Sequence, residues 1–135
     1  MAITRKNPDV IAPPVGPYSH LVRVASGVEW VFISGQVGLD QEGQMPPDAY
    51  SQTLNVFSNI ERLLESEGLS PASIVRLLTF VAGVDHAPEY RRASEAAFSA
   101  WFPNGDFPGQ SFTFSPALAR PDVLVEVEAW AVIPS

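Results

Sequence analysis

Apolar and polar positions along this chain follow two periods, and the switches between them divide it into elements. From Asp48 to Gly68 the residues Tyr50, Leu54, Phe57, Ile60 and Leu64 recur every three or four positions, the spacing that lines up side chains on one stripe of an α-helix. Pro46-Pro47 precede this run and Gly68 follows it, a rigid start and a residue suited to the position after the C-cap. A second helical period begins near Asp85–Pro88 and presents Tyr90, Ala93, Ala97 and Trp101. Two extended runs, His20–Val24 and Trp30–Val37, flank the Gly-bearing turn 25–28 and predict a β-hairpin. Ile74–Ala82, Ser111–Ser115 and Val123–Val132 predict three further strands. Residues 1–17 carry Pro8, Pro13, Pro14 and Pro17, which fix φ and remove donors, so this stretch is expected to be an irregular lead-in. The predicted order is ββαβαββ, an α+β domain with two helices packed on one face of a mixed sheet.

The strands also predict a partner. Along 74–82 one side shows Ile74, Leu78 and Phe80 and the other Val75, Leu77 and Val81, while Trp30–Ile33 is apolar throughout. Strands buried on both faces lose the polar–apolar alternation of a solvated sheet. Two helices cover one face, and an apolar sheet face left open exceeds the patch a monomer usually tolerates. A second copy of the chain is the expected cover.

Composition narrows the function classes. At 135 residues, 46% hydrophobic and 17% charged, the whole span 1–135 reads as one globular domain. The net charge of −7 leaves Arg5-Lys6 and Arg91-Arg92 as the dense basic spots. Nucleic-acid binding draws its affinity from neutralised phosphates, so no nucleic-acid partner is expected. Cysteine is absent, which removes disulfides and thiol chemistry. The N-terminal stretch lacks an apolar signal core, and the longest apolar runs are too short to cross a bilayer; a cytoplasmic protein without membrane contact is expected. No phosphate-binding loop, dinucleotide turn or nucleophile elbow occurs. His20 and His86 lack paired ligand spacing, so neither a metal nor a cofactor is expected.

Candidate chemistry lies in polar residues at strand ends. Ser34-Gly35-Gln36 follows a buried run, and a glycine there lets a ligand approach the backbone; an ordinary strand end reads the same way. Glu126 and Glu128 share a strand face with Leu124 and Trp130. A carboxylate so placed lies either at a solvated edge or in a cleft where it can hold water.

Four motifs, in order, add to this. Ala12-Pro13-Pro14-Val15-Gly16-Pro17-Tyr18-Ser19, Phe32-Ile33-Ser34-Gly35-Gln36, the helix positions Gln52-Thr53, Asn59-Ile60 and Gly68, and Val125-Glu126-Val127-Glu128-Ala129 resemble the motifs of the Rid family, also called YjgF-like proteins. The resemblance covers about residues 10 to 132. It implies a chorismate-mutase-like fold and a homotrimer with a small-molecule cleft at each subunit interface. Its deaminases hydrolyse imines and enamines to 2-keto acids and ammonia without a cofactor. Carried over, Glu126 positions or activates water, and Tyr18, Ser34, Gly35, Gln110, Ser111 and Phe112 are the candidate substrate-binding residues.

One departure cuts against simple transfer. Family deaminases carry Pro-Ala-Arg-Ser before the next strand, and this chain reads Pro108-Gly109-Gln110-Ser111. Glutamine is neutral where arginine offers a charged planar fork for a carboxylate. The family's helix-two asparagine is also absent, the aligned stretch being Arg91-Arg92-Ala93-Ser94. Either arginine is a candidate for the missing charge, although both fit a solvated helix face. Three readings follow: a deaminase with altered substrate choice, a non-catalytic metabolite binder or regulator using the same cleft, and an endoribonuclease, which the acidic charge disfavours.

Overall fold

In the computed structural model, residues 2–134 are described, and these form six strands and two α-helices. The strands are β1 (Ile3–Lys6), β2 (Leu21–Val24), β3 (Glu29–Val37), β4 (Ile74–Ala82), β5 (Gly109–Ser115) and β6 (Val125–Ile133); the helices are α1 (Ala49–Ser66) and α2 (Ala87–Trp101). A four-stranded sheet runs β3-β6-β4-β5, with β4 and β5 parallel and the other pairs antiparallel. The α+β class with two helices on a mixed sheet is therefore present.

Two expectations are corrected. The hairpin between residues 20–24 and 30–37 does not form: β2 pairs with β1, Ile3 opposite Val24 and Lys6 opposite Leu21, while β3 pairs with β6. The alanine- and valine-rich β6 offers Val31 and Ile33 a buried neighbour that the four-residue, alternately exposed β2 lacks. The lead-in also holds a strand, because its prolines begin only at Pro8 and leave Ile3–Lys6 with every backbone donor.

Local chemistry fixes α1. Asp48 accepts the Ser51 N–H at 2.8 Å as N-cap. At the other end Gly68, at φ +72°, donates to Glu65 O and Leu69 donates to Leu64 O, both at 2.9 Å, which is a Schellman ending. The buried stripe runs through Val56, Phe57, Ile60 and Leu64, packed on Val127, Ala129 and Ala131. Each such side chain contributes about 1.5–3 kcal/mol by leaving water. Tyr50 and Leu54 stand off this stripe. Their places are taken by Thr53 and the fully buried Gln52, whose amide donates to Pro46 O and Asp122 O and accepts from Leu124 N at 2.8–2.9 Å. Period alone could not reveal a buried glutamine with its polar atoms paired. Gly38 seats the end of β3 on α1, since a Cβ there would fall 2.6 Å from Gln52 Cα.

Among the described residues no helix covers the opposite sheet face. Phe32 is 68% exposed and Trp30 44%, their rings stacked at 5.9 Å, and Arg76 lies 5.4 Å over Trp130.

Candidate functional site

Residues around Tyr18 are pinned to the start of β5. Ser19 is buried; its hydroxyl donates to Phe107 O at 2.6 Å and its amide to Pro108 O at 3.0 Å. His20 N donates to Asn7 Oδ1 at 2.7 Å, and its ring Nε2 lies 2.8 Å from Ala12 O. These bonds hold an otherwise irregular, proline-rich segment so that Tyr18 faces α2 and β5. The Tyr18 hydroxyl accepts from Val15 N at 3.3 Å. Between them lies a cavity of about 390 Å³, walled by Tyr18, by Tyr90, Arg91 and Ser94 of α2, and by Gln110 and Phe112 of β5.

This cavity is apolar with a few polar groups. The Tyr90 ring stands 5.2 Å from that of Phe112, and burial pushes the Tyr90 hydroxyl pKa up, so it stays protonated and able to donate. Gln110 Oε1 is buried and accepts no hydrogen bond among the described residues. Leaving such an acceptor unmet costs about 1–3 kcal/mol. Arg91 forms no ion pair among the described residues, whereas Arg92 lies 4.8 Å over the Tyr50 ring.

The other candidates occupy the open sheet face. Ile33 pairs with Ala129 and Gln36 with Val127, so Ser34 and Gly35 together stand opposite Glu128 as a bulge. Gly35 turns toward Glu126: a Cβ at position 35 would lie 2.8 Å from Glu126 Cδ and 2.9 Å from its Cγ. Side-chain alternation puts Glu126 on the same face as Phe80, its β4 partner. Ser111 also faces this side, its hydroxyl 3.3 and 3.4 Å from the two Arg76 guanidinium nitrogens.

Within one chain the predicted residues thus form two groups. Tyr18, Gln110 and Phe112 share the helix-side cavity; Ser34, Gly35, Glu126 and Ser111 lie on the open face. The sequence reading missed Tyr90 and Ser94 as cavity residues: Tyr90 read as part of the apolar stripe of α2, and Ser94 carried no signal of its own. Among the described residues no cluster of three or more His, Asp or Glu side chains is arranged to hold a metal, and no helix is long and apolar enough to cross a membrane.

An α+β domain with two helices on one face of a mixed sheet is the architecture of the YjgF-like proteins. The family profile described as Endoribonuclease L-PSP matches residues 10–133, and the chain belongs to that family, which includes the Rid proteins. It is similar to the 2-iminobutanoate/2-iminopropanoate deaminase of Escherichia coli, 29% identical over 119 residues that cover 87% of this chain and 88% of that one. Among solved structures, the Rid-family protein YyfB from Yersinia pestis superposes with a TM-score of 0.85 at 32% identity, covering 98% of this chain and all of the other. E. coli TdcF with bound serine gives 0.70 at 26% identity, over 89% and 91%.

Proposed function

We propose that this protein hydrolyses imines or enamines to carbonyl compounds and ammonia in clefts completed by a second copy of the chain, a trimer being the expected assembly. The observation that carries this reading is Glu126, on the open sheet face against a glycine at which any Cβ would collide with its side chain. Similarity to an imine deaminase over most of both chains supports the chemistry. The structure of TdcF with bound serine supports a small amino-acid-like ligand.

In such a site an enamine first takes a proton on carbon to become the imine. Water adds to the carbon of the protonated imine as Glu126 accepts its proton, giving a neutral carbinolamine. Glu126 then returns that proton to nitrogen, the C–N bond breaks as the hydroxyl gives up its own proton to solvent, and ammonia leaves behind a carbonyl group. A positioned carboxylate is suited to both transfers. Tyr18, Ser34, Gly35 and Phe112 would line the cleft, with the two groups supplied by different subunits, and no metal or cofactor is required.

Gln110 sets the substrate choice. A hydrogen bond to a charged group contributes about 1.5–3 kcal/mol against about 1 for a neutral pair, so replacing arginine weakens an adjacent carboxylate roughly two- to thirtyfold for each bond lost.

Purified protein assayed on 2-iminopropanoate and 2-iminobutanoate, formed in situ by an amino-acid oxidase, is expected to release ammonia slowly. Glu126→Gln should lower that rate at least a hundredfold and Gln110→Arg should raise it. A rate indifferent to Glu126→Gln refutes the reading. Saturable binding of keto acids with no turnover of any imine would favour the second reading, a metabolite binder, which the neutral Gln110 also suits.

A further inference from the structure

A neutral amide of β5, Gln110, and a cation of α2, Arg91, meet in one cavity. Both side chains line the same space of about 390 Å³. The positive charge absent from β5 is therefore present on α2, at a different point of the wall.

The two arginines of α2 are not equivalent. Arg92 lies over the Tyr50 ring, outside this cavity. Arg91 borders the cavity, is exposed, and has no ionic partner among the described residues. Its charge is permanent and its fork suits a carboxylate. Glu95, four residues further along α2, borders the cavity too; its negative charge opposes a dianion such as phosphate and suits a single negative charge. The buried Gln110 Oε1 has the opposite requirement: it is an acceptor that needs a donor, and an ionised carboxylate has none.

We propose that Arg91 is the specificity-determining residue of this cavity, binding a carboxylate that the ligand carries away from its carbonyl or imine carbon, while the Gln110 acceptor disfavours a carboxylate beside it. The proposal rests on the functional reading above only for the ligand's carbonyl or imine carbon, and its test needs no turnover.

Three five-carbon ketones separate the possibilities: 4-oxopentanoate with a remote carboxylate, 2-oxopentanoate with an adjacent one, and 2-pentanone with none. Titration calorimetry on the full-length protein is expected to show 4-oxopentanoate binding at least tenfold more tightly than the other two. Arg91→Gln should remove that advantage, Arg91→Lys should restore part of it, and Arg92→Gln should leave it intact. Melting curves confirm that each variant is folded. Tightest binding of 2-oxopentanoate, undiminished 4-oxopentanoate affinity in Arg91→Gln, or no binding of any ketone overturns the proposal. Imine turnover measured in parallel keeps the two ideas apart. Turnover without the remote-carboxylate preference sinks this inference alone, and the preference without turnover sinks only the hydrolytic chemistry.

Discussion

Replacing Gly35 by alanine adds one methyl group at the point where β3 meets Glu126. That methyl would sit 2.8 Å from Glu126 Cδ and 2.9 Å from Cγ, whereas carbon atoms in ordinary contact are about 3.5–4.0 Å apart. The carboxyl group must move by roughly the difference, on the order of 1 Å. Glu126 is half-buried and a long side chain, so it can swing aside, and the strain retained is on the order of 1 kcal/mol, the cost of an off-rotamer torsion. Catalysis is less forgiving, because a misplacement of about 1 Å can cost roughly a hundredfold in rate, equivalent to about 2.7 kcal/mol of barrier. Gly35→Ala is therefore expected to lower kcat/KM on 2-iminobutanoate about a hundredfold while the melting temperature falls by only a few degrees. The same substitution made in a Glu126→Gln background should cost almost nothing more, since the group it displaces is already disabled. Turnover within twofold of the unaltered protein, or an equal loss in both backgrounds, would refute a catalytic role for the Gly35–Glu126 packing.

Other perturbations test the scaffold and the assembly. Gln52→Leu strips Pro46 O, Asp122 O and Leu124 N of their buried partner, and chemical denaturation should show a loss of about 3 kcal/mol or more. Asp48→Ala removes the α1 cap and should cost about 1 kcal/mol at neutral pH. The Ser51 backbone bond, then its hydroxyl, hold the Asp48 carboxyl below its ordinary pKa; the capping stabilisation is thus complete above the unfolded value and fades as pH falls through the folded one, so the two proteins should converge in strong acid. Phe32→Glu puts a charge on a side chain already 68% exposed in the single chain. Sedimentation should show a folded monomer, and imine turnover should disappear with the assembly.

Legibility of the sequence depended on how local each cause was. Helix α1 could be read within a residue or two because its cap, its period and its terminal glycine all lie inside the segment they specify. β4 was equally plain, a nine-residue run with both flanks marked. Pairing between strands was not, since β3 chooses β6 from nearly a hundred residues away for reasons of shared burial rather than turn chemistry. In the site, Glu126 and Gly35 were found through motif residues. Their mutual packing depends on a bulge at Ser34-Gly35 that no spacing rule announces. Arg91 and Arg92 look identical in sequence; only the placement of Tyr50 and Gln110 separates them, one arginine taken up by an aromatic ring and the other left beside a cavity.

The division of the candidate residues between two sheet faces bears directly on mechanism. Side chains alternate along a strand, so Glu126 on one face of β6 and the Gln110 cavity on the helix side of β5 cannot converge without breaking the sheet. Neither group is a complete site: among the described residues the cavity has hydrogen-bonding groups, with Glu95 at its border, but lacks Glu126, and the open face has Glu126 but no enclosing wall. Another chain laid across the exposed Trp30 and Phe32 would supply that wall and dry the apolar surface at once. Chemistry and association would then depend on the same contact, and catalytic power would be gained or lost together with it.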